Sequence, residues 1–134
     1  MKDVLYKNNK IEVRKSNIHG YGVFAKESIS VGELIEECYF IEINKANFVP
    51  ELHNYIFKYN KLIKTGQIEE SFAILLGFGM IYNCSETADK RNITHRQFQD
   101  DKIFSFMCIR DIKKDEEILS YYGDGWMKKR NLGI

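Results

Sequence analysis

The chain has 134 residues, of which 44% are apolar and 29% are charged. This balance is typical of a globular fold and excludes wholesale disorder, and the length fits one domain over residues 1–134 without a separate cofactor domain. The formal net charge of +1 is too small for the broad positive field of most nucleic-acid-binding proteins. We therefore expect no direct nucleic-acid partner.

The sequence predicts an intracellular, soluble protein. Its longest apolar stretch, residues 72–82, includes two glycines and is well short of the ~20 residues that a membrane helix needs. The first residues, MKDVLYKN, lack the apolar core of a secretory signal. We expect no membrane partner.

Cysteine and histidine spacing does not indicate a disulfide framework or a paired zinc motif. The cysteines are Cys38, Cys84 and Cys108, and the histidines are His19, His53 and His95. We expect free thiols and no metal site.

Apolar periodicity predicts short strands over most of the chain. Residues 11–14 and 23–25 flank a polar, glycine-containing turn at 16–22, and residues 34–43 form a further strand-like run. Residues 92–98 and 103–109 predict a hairpin around a polar turn, with the second strand buried on both faces. A last strand covers residues 117–122.

One segment predicts a helix instead. In residues 51–64, apolar side chains recur at intervals of three and four, which is the stripe of an amphipathic helix. The sequence thus predicts a mainly β fold with little helix.

Three segments carry residues suited to ligand binding. Gly20 and Gly22 flank Tyr21 and would let backbone amides approach a ligand, although an isolated Gly-x-Gly is usually a turn. The Asn83 amide could hold a zwitterionic ligand or cap its own turn. Residues 120–126 bring two tyrosines and Trp126 to a strand end, where a hydroxyl beside aromatic walls could orient an amine.

Together these segments resemble the SET domain of protein lysine methyltransferases. Residues 16–25 and 32–37 resemble the family's opening, residues 76–85 its Asn-His-Ser segment, and Glu116-Glu117-Ile118 with Tyr122-Gly123 its closing motif. The resemblance is closest to the minimal SET proteins of large viruses, which also carry a Leu-Gly-Phe-Gly run. It implies a β-clip fold of several small sheets with a knot-like C-terminal segment.

The same resemblance implies protein-lysine N-methyltransferase activity that depends on S-adenosyl-L-methionine. The expected substrate is a flexible basic protein tail, with histone favoured, which implies a nuclear location; another substrate would imply a cytoplasmic one. A homodimer is also expected.

The resemblance also implies roles for individual residues. The catalytic residue is Tyr122, and the substrate lysine channel is formed by Tyr21, Tyr55 and Tyr122. The cofactor-binding residues are His19, Gly20, Tyr21, Gly22, Asn83, Cys84 and Trp126. The acidic clusters 36–37, 69–70 and 115–117 could attract the tail.

Departures from the family pattern leave other hypotheses open. Cys84 stands where the family has histidine, and Ala88-Asp89 stands where it has Pro-Asn. One alternative is a catalytically silent SET module that binds a tail or partner, and another is a β-rich assembly protein with no ligand. No cysteine-rich region flanks the core, so we expect a single SET domain without zinc-binding flanking regions.

Overall fold

The computed structural model describes residues 2–43, 50–52 and 55–121. Over this part the chain forms nine β-strands and short 3-10 turns at Pro50–Leu52 and Ala88–Lys90. The strands are β1 Ile11–Lys15, β2 Tyr21–Ala25, β3 Leu34–Ile43, β4 Phe57–Leu62, β5 Ile68–Leu75, β6 Asn83–Cys84, β7 Ile93–Phe98, β8 Ile103–Cys108 and β9 Glu117–Ser120.

A four-stranded sheet in the order β1-β2-β9-β6 brings together segments that are far apart in the chain. β1 and β2 form an antiparallel hairpin around the polar turn that the sequence predicted. β9 lies beside β2, with Val23 opposite Ile118, and its other edge pairs with β6 in parallel.

A five-stranded antiparallel sheet in the order β4-β5-β3-β8-β7 forms the rest of the fold. Side chains of β7 and of the turn that follows it join the two edge strands of this sheet, β4 and β7. The Gln97 amide donates to Asn60 O at 2.5 Å and accepts from Asn60 N at 3.3 Å, and Gln99 does the same with Leu62 at 2.8 and 2.7 Å. Each glutamine thus supplies the donor and the acceptor that a neighbouring strand would supply.

Aromatic side chains fill the interior of the five-stranded sheet. Phe104 is fully buried, with ring centroids 5.2 Å from Phe40, 5.7 Å from Phe57 and 6.2 Å from Tyr59. The tilted and edge-on ring arrangements are those that aromatic pairs prefer. This cluster is continuous with apolar residues of the other sheet, including Val23 and Ile118.

The structure confirms a mainly β fold built from small sheets, with the predicted strand at 34–43 and the predicted hairpin at 92–109. The strand predicted at 117–122 is observed as Glu117–Ser120. The knot-like C-terminal segment falls in residues 122–134, outside the described residues. Nowhere in the described ranges does a helix have the length and apolar character needed to cross a membrane.

The predicted helix at 51–64 is wrong. Its described part contains the Pro50–Leu52 turn and strand β4, in which Phe57 and Tyr59 are buried while Lys58 and Asn60 are exposed. This alternation has the period of a strand, and aromatic residues favour the pleated surface. β4 pairs with β5 through a turn at Gly66, whose φ of +84° suits glycine.

The prediction that the strand at 103–109 is buried on both faces holds only at the start of the strand. Phe104, Phe106 and Cys108 face the core, and on the other face Ile103 is 1% exposed, but Met107 and Ile109 are 39% and 37% exposed. One face of the five-stranded sheet packs on the aromatic core, while the other is only partly covered, as is common for antiparallel sheets.

The three cysteines are free thiols: Cys38 and Cys108 are buried and Cys84 is half-buried. Burial raises the pKa of the Cys38 and Cys108 thiols, which keeps them protonated and unreactive. Within the described ranges, no group of three or more His, Cys, Asp or Glu side chains is placed to hold a metal ion.

Candidate functional site

Strand β9 is the element around which the candidate site is assembled. On one side Glu117 lies opposite Phe24 of β2, and on the other Leu119 lies opposite Asn83 of β6. The Gly-x-Gly turn, the Asn83 segment and the Glu117-Ile118 part of the closing motif are thereby adjacent in space. Because the two pairings use backbone atoms, this adjacency depends on the strands rather than on any one side chain.

The Asn83 amide makes contacts to both neighbouring segments. Its Nδ2 atom lies 3.1 Å from His19 O, 3.3 Å from Tyr21 O and 2.8 Å from Glu117 Oε2. All three partners are acceptors, so the nitrogen is the amide atom that faces them. The Oδ1 atom accepts no hydrogen bond from any residue in the described part of the chain.

The Glu117 carboxylate links Asn83 to the turn before β2. Ser16 Oγ donates to the two carboxylate oxygens at 2.8 and 3.1 Å, and it accepts from Ile18 N at 2.9 Å. Ser16 N also donates to Gly20 O at 2.8 Å, which closes the turn. One half-buried carboxylate therefore contacts both ends of the site.

Gly20 and Gly22 are needed for different reasons. Gly20 has a φ of +50°, in the left-handed region, and open space lies where its Cβ would be. Gly22 is buried, and a Cβ there would clash with Glu117 Oε2 and lie 3.0 Å from Asn83 Nδ2. The first glycine permits the turn, while the second permits close approach of the carboxylate and the amide.

Asn92 connects this site to the five-stranded sheet. It is fully buried, its Nδ2 donates to Glu117 O at 2.9 Å, and its Oδ1 accepts from Leu119 N at 2.7 Å. The Asn92 amide hydrogen-bonds to backbone groups of β9 as a neighbouring strand would. β7 begins at the next residue. Asn92 therefore fixes the position of β9 relative to β7.

A second buried carboxylate holds the chain that leads into β6. Glu36 is 2% exposed and accepts from Tyr82 Oη at 2.6 Å and from Phe78 N at 2.9 Å. Gly77, with φ +81°, packs so closely on Glu36 that a Cβ would clash. The Leu-Gly-Phe-Gly run thus turns around Glu36 before it delivers Asn83 to the site.

The predicted cofactor-binding residues His19, Gly20, Tyr21, Gly22, Asn83 and Cys84 all lie along β2, β6 and the turn before β2. Tyr21 is 68% exposed. Cys84 pairs with Ser120 through the backbone, and its Sγ donates to Ser85 O at 3.4 Å. A different side chain at position 84 leaves this backbone pairing possible.

The remaining predicted site residues are placed otherwise. Tyr55 lies in the turn before β4, on the other sheet, and among the described residues no ring contact joins it to Tyr21. Tyr122 and Trp126 fall outside the described residues. β9 ends at Ser120, two positions before Tyr122 in the sequence.

Several carboxylates of the acidic clusters that could attract a basic tail have partners within the protein. Glu36 is buried, and Glu37 pairs with Lys2 at 2.5 Å. Glu117 is bonded within the site, and Glu70 pairs with Lys58 at 2.8 Å. These carboxylates have protein partners because they hold turns and strands together, which the sequence pattern alone does not reveal.

Sequence reasoning assigned no site role to Ser16, Asn92 or the Glu117 side chain. The available signal was weak: Glu117 is a carboxylate directly before the apolar Ile118 on a strand expected to pack in the fold. Ser16 and Asn92 are residue types that commonly satisfy their own turns, so nothing in the local pattern indicates their long-range contacts.

The site offers acceptors and negative charge to a ligand. His19 O, Tyr21 O and Asn83 Oδ1 are hydrogen-bond acceptors within one small region, Glu117 adds a carboxylate, and Gly20 leaves open space beside the turn. This set of acceptors fits a ligand that carries an ammonium group.

Comparisons with known proteins define the family. The SET domain model matches residues 20–123, and the chain therefore belongs to the SET domain family. No curated protein sequence matches the chain significantly.

Several solved structures are similar in fold. A Plasmodium falciparum protein assigned as a candidate histone methyltransferase is 28% identical, with a TM-score of 0.65 over 89% of this chain and 97% of its own. The methyltransferase domain of human PR domain-containing protein 2 is 13% identical, with a TM-score of 0.64 over 87% of this chain and 80% of its own. CpSET8 from Cryptosporidium is 21% identical, with a TM-score of 0.62 over 85% of this chain and 57% of its own.

Proposed function

We propose that this SET domain is a protein-lysine N-methyltransferase that uses S-adenosyl-L-methionine. The observation that carries the proposal is the hydrogen-bonded contact of Asn83 Nδ2 with His19 O and Glu117, because it joins all three motif segments in one place. The family match over residues 20–123 supports the same chemistry.

The residues present fit the amino-acid end of this cofactor. Its ammonium group needs acceptors, and His19 O, Tyr21 O and Asn83 Oδ1 supply them beside the open space at Gly20. When bound, S-adenosyl-L-methionine supplies an electrophilic methyl group on a positive sulfonium. Cys84 keeps its backbone pairing with Ser120, which supports binding despite the absence of the family's histidine.

The main task of the protein residues is to align a neutral substrate amine. Free lysine has a pKa of about 10.4, so the site must favour the uncharged amine by excluding water from it. We assign the orientation of the amine to the Tyr122 hydroxyl. Tyr21 and Tyr55 are proposed as channel walls, where aromatic faces stabilise methylated ammonium groups.

The proposed substrate is a lysine on a flexible basic tail, with a histone as the first candidate because the similar Plasmodium protein is assigned to that class. A histone substrate would place the protein in the nucleus. A twofold homodimer and a relation to the minimal viral SET proteins are further proposals, of which the dimer is tested by sedimentation.

The test is incubation of the pure protein with methyl-labelled cofactor and core histones. We expect label on lysine in the wild type and about a hundredfold slower labelling in Tyr122→Phe, because loss of amine alignment can cost that much. Tyr6→Phe is a matched control, since Tyr6 is exposed and precedes β1. It should label like the wild type.

The same labelling assay distinguishes methyltransferase activity from a second candidate function. The Cys84 and Ala88-Asp89 departures favour a silent module that binds tails, which predicts tail binding without label. A protein with no ligand predicts no change in thermal midpoint on addition of S-adenosyl-L-methionine. Either result contradicts the proposed activity.

A further inference from the structure

We infer that Glu117 is a positioning residue that sets the orientation of the Asn83 amide and holds it to the Gly20–Gly22 turn for ligand binding. The identity of the ligand, S-adenosyl-L-methionine, rests on the proposed function. The inference itself rests on the contacts of one carboxylate with two separate segments.

The two ends of the Asn83 amide have opposite hydrogen-bonding roles. An asparagine amide can turn by 180° and exchange its donor and acceptor ends. Asn83 is surrounded on one side by His19 O, Tyr21 O and Glu117 Oε2, of which the carboxylate is the strongest acceptor because it is charged. Glu117 therefore favours the orientation in which Nδ2 faces the protein and Oδ1 remains available to an ammonium group.

Glu117 also holds the turn before β2. Glu117 accepts from Ser16 Oγ with both oxygens, and Ser16 in turn fixes Ile18 N and Gly20 O. The carbonyls that face Asn83 belong to this same turn. Removal of the carboxylate would leave the Asn83 amide held to the turn only by its contacts with His19 O and Tyr21 O.

An amide at position 117 cannot replace the carboxylate. In Glu117→Gln the new NH2 group would face Asn83 Nδ2, a donor, if it occupied the Oε2 position. If it occupied the Oε1 position, Ser16 would lose its 2.8 Å acceptor and would keep only the oxygen at 3.1 Å, which the Asn83 amide also uses. The substitution keeps the size of the side chain but loses an acceptor in either orientation.

The test compares Glu117→Gln with Glu116→Gln. Glu116 is the neighbouring carboxylate of the same motif, but its side chain accepts from Lys113 N at 3.0 Å and lies 3.9 Å from Arg110. We would measure the side-chain amide signal of Asn83 by 15N NMR, assigned by its loss in Asn83→Asp. The dissociation constant of S-adenosyl-L-methionine would be measured by calorimetry well below the thermal midpoint.

We expect Glu117→Gln to move the Asn83 amide signal in the ligand-free protein and to weaken cofactor binding about tenfold, the loss expected of one charge-assisted hydrogen bond. Glu116→Gln should change neither quantity. Ser16→Ala should weaken binding in the same direction by a smaller factor, and it carries the test if Glu117→Gln does not fold.

The positioning role is overturned if the wild type binds the cofactor but Glu117→Gln leaves the Asn83 signal unmoved. It is also overturned if Glu117→Gln and Glu116→Gln bind the cofactor with equal affinity. In both cases the proposed function stands. Absence of cofactor binding in the wild type overturns the proposed function and the assigned ligand instead. The two failures are thus distinguishable, because the NMR signal is read without cofactor.

Discussion

The two sheets of this protein are stabilised in different ways. The five-stranded sheet has long strands that enclose an aromatic cluster around Phe104. The four-stranded sheet has short strands, and polar side chains such as Glu117, Asn83 and Asn92 hold its segments together. Apolar burial is insensitive to direction, whereas hydrogen bonds fix distances and angles. The comparison teaches that stability and positioning are largely assigned to different sheets.

The largest expected effect is on the aromatic cluster. Phe104→Ala should lower the free energy of unfolding by about 4 kcal/mol, because it removes a fully buried ring and leaves a cavity. Phe98→Ala is the matched control, since Phe98 is 42% exposed at the end of β7, and it should cost about 0.5 kcal/mol. Urea unfolding measures both. Equal losses would show that the five-stranded sheet does not depend on its aromatic interior.

A smaller effect on stability, with a larger effect on binding, is expected at Gly22. Gly22→Ala should cost about 2 kcal/mol by overpacking and should abolish measurable cofactor binding, because the methyl group displaces Glu117 and Asn83. Gly20→Ala meets open space and should cost only about 1 kcal/mol for its left-handed φ. Unfolding and calorimetry on the same samples test this. If Gly20→Ala loses more affinity than Gly22→Ala, the distinction between the two glycines is wrong.

The smallest expected effect is a pH dependence from His95 in the five-stranded sheet. Burial among Phe57, Phe104 and Phe106, and to a smaller extent the charge of Arg91, lowers the pKa of His95 from its ordinary value of 6.5. As the pH falls below about 6.5 the unfolded chain is protonated first, so stability falls until the pH reaches the folded-state pKa. Above that window His95 is neutral in both states and contributes no slope.

The measurement is urea unfolding from pH 7.5 down to pH 5 for the wild type and for His95→Phe. The variant should lose less stability on acidification, because its side chain takes up no proton on unfolding. Parallel profiles for the two proteins would contradict the prediction.

Much of the fold was predictable, because strand alternation reports burial directly. The strand at 34–43 and the hairpin at 92–109 are examples. The error at 51–64 arose because Tyr55 and Tyr59 satisfy a helical interval as well as the strand period, and only pairing with β5 decides between them.

The motif residues of the site were predictable from the sequence, but the side-chain contacts that support them were not. Asn83 and the glycines at 20 and 22 were chosen from the pattern, and the structure places them beside β9. Ser16 contacts Glu117, which lies 101 positions later in the sequence, and Asn92 contacts the same residue 25 positions later. Such contacts depend on tertiary packing, so a local pattern could not indicate them.

The glutamine bridges of the five-stranded sheet have a consequence for association. An edge strand with free backbone groups is a template on which another molecule can extend the sheet and aggregate. Gln97 and Gln99 occupy the outward backbone groups of Asn60 and Leu62, so a foreign strand would have to displace four hydrogen bonds at this rim. The protein thus blocks one route to fibre growth with two side chains.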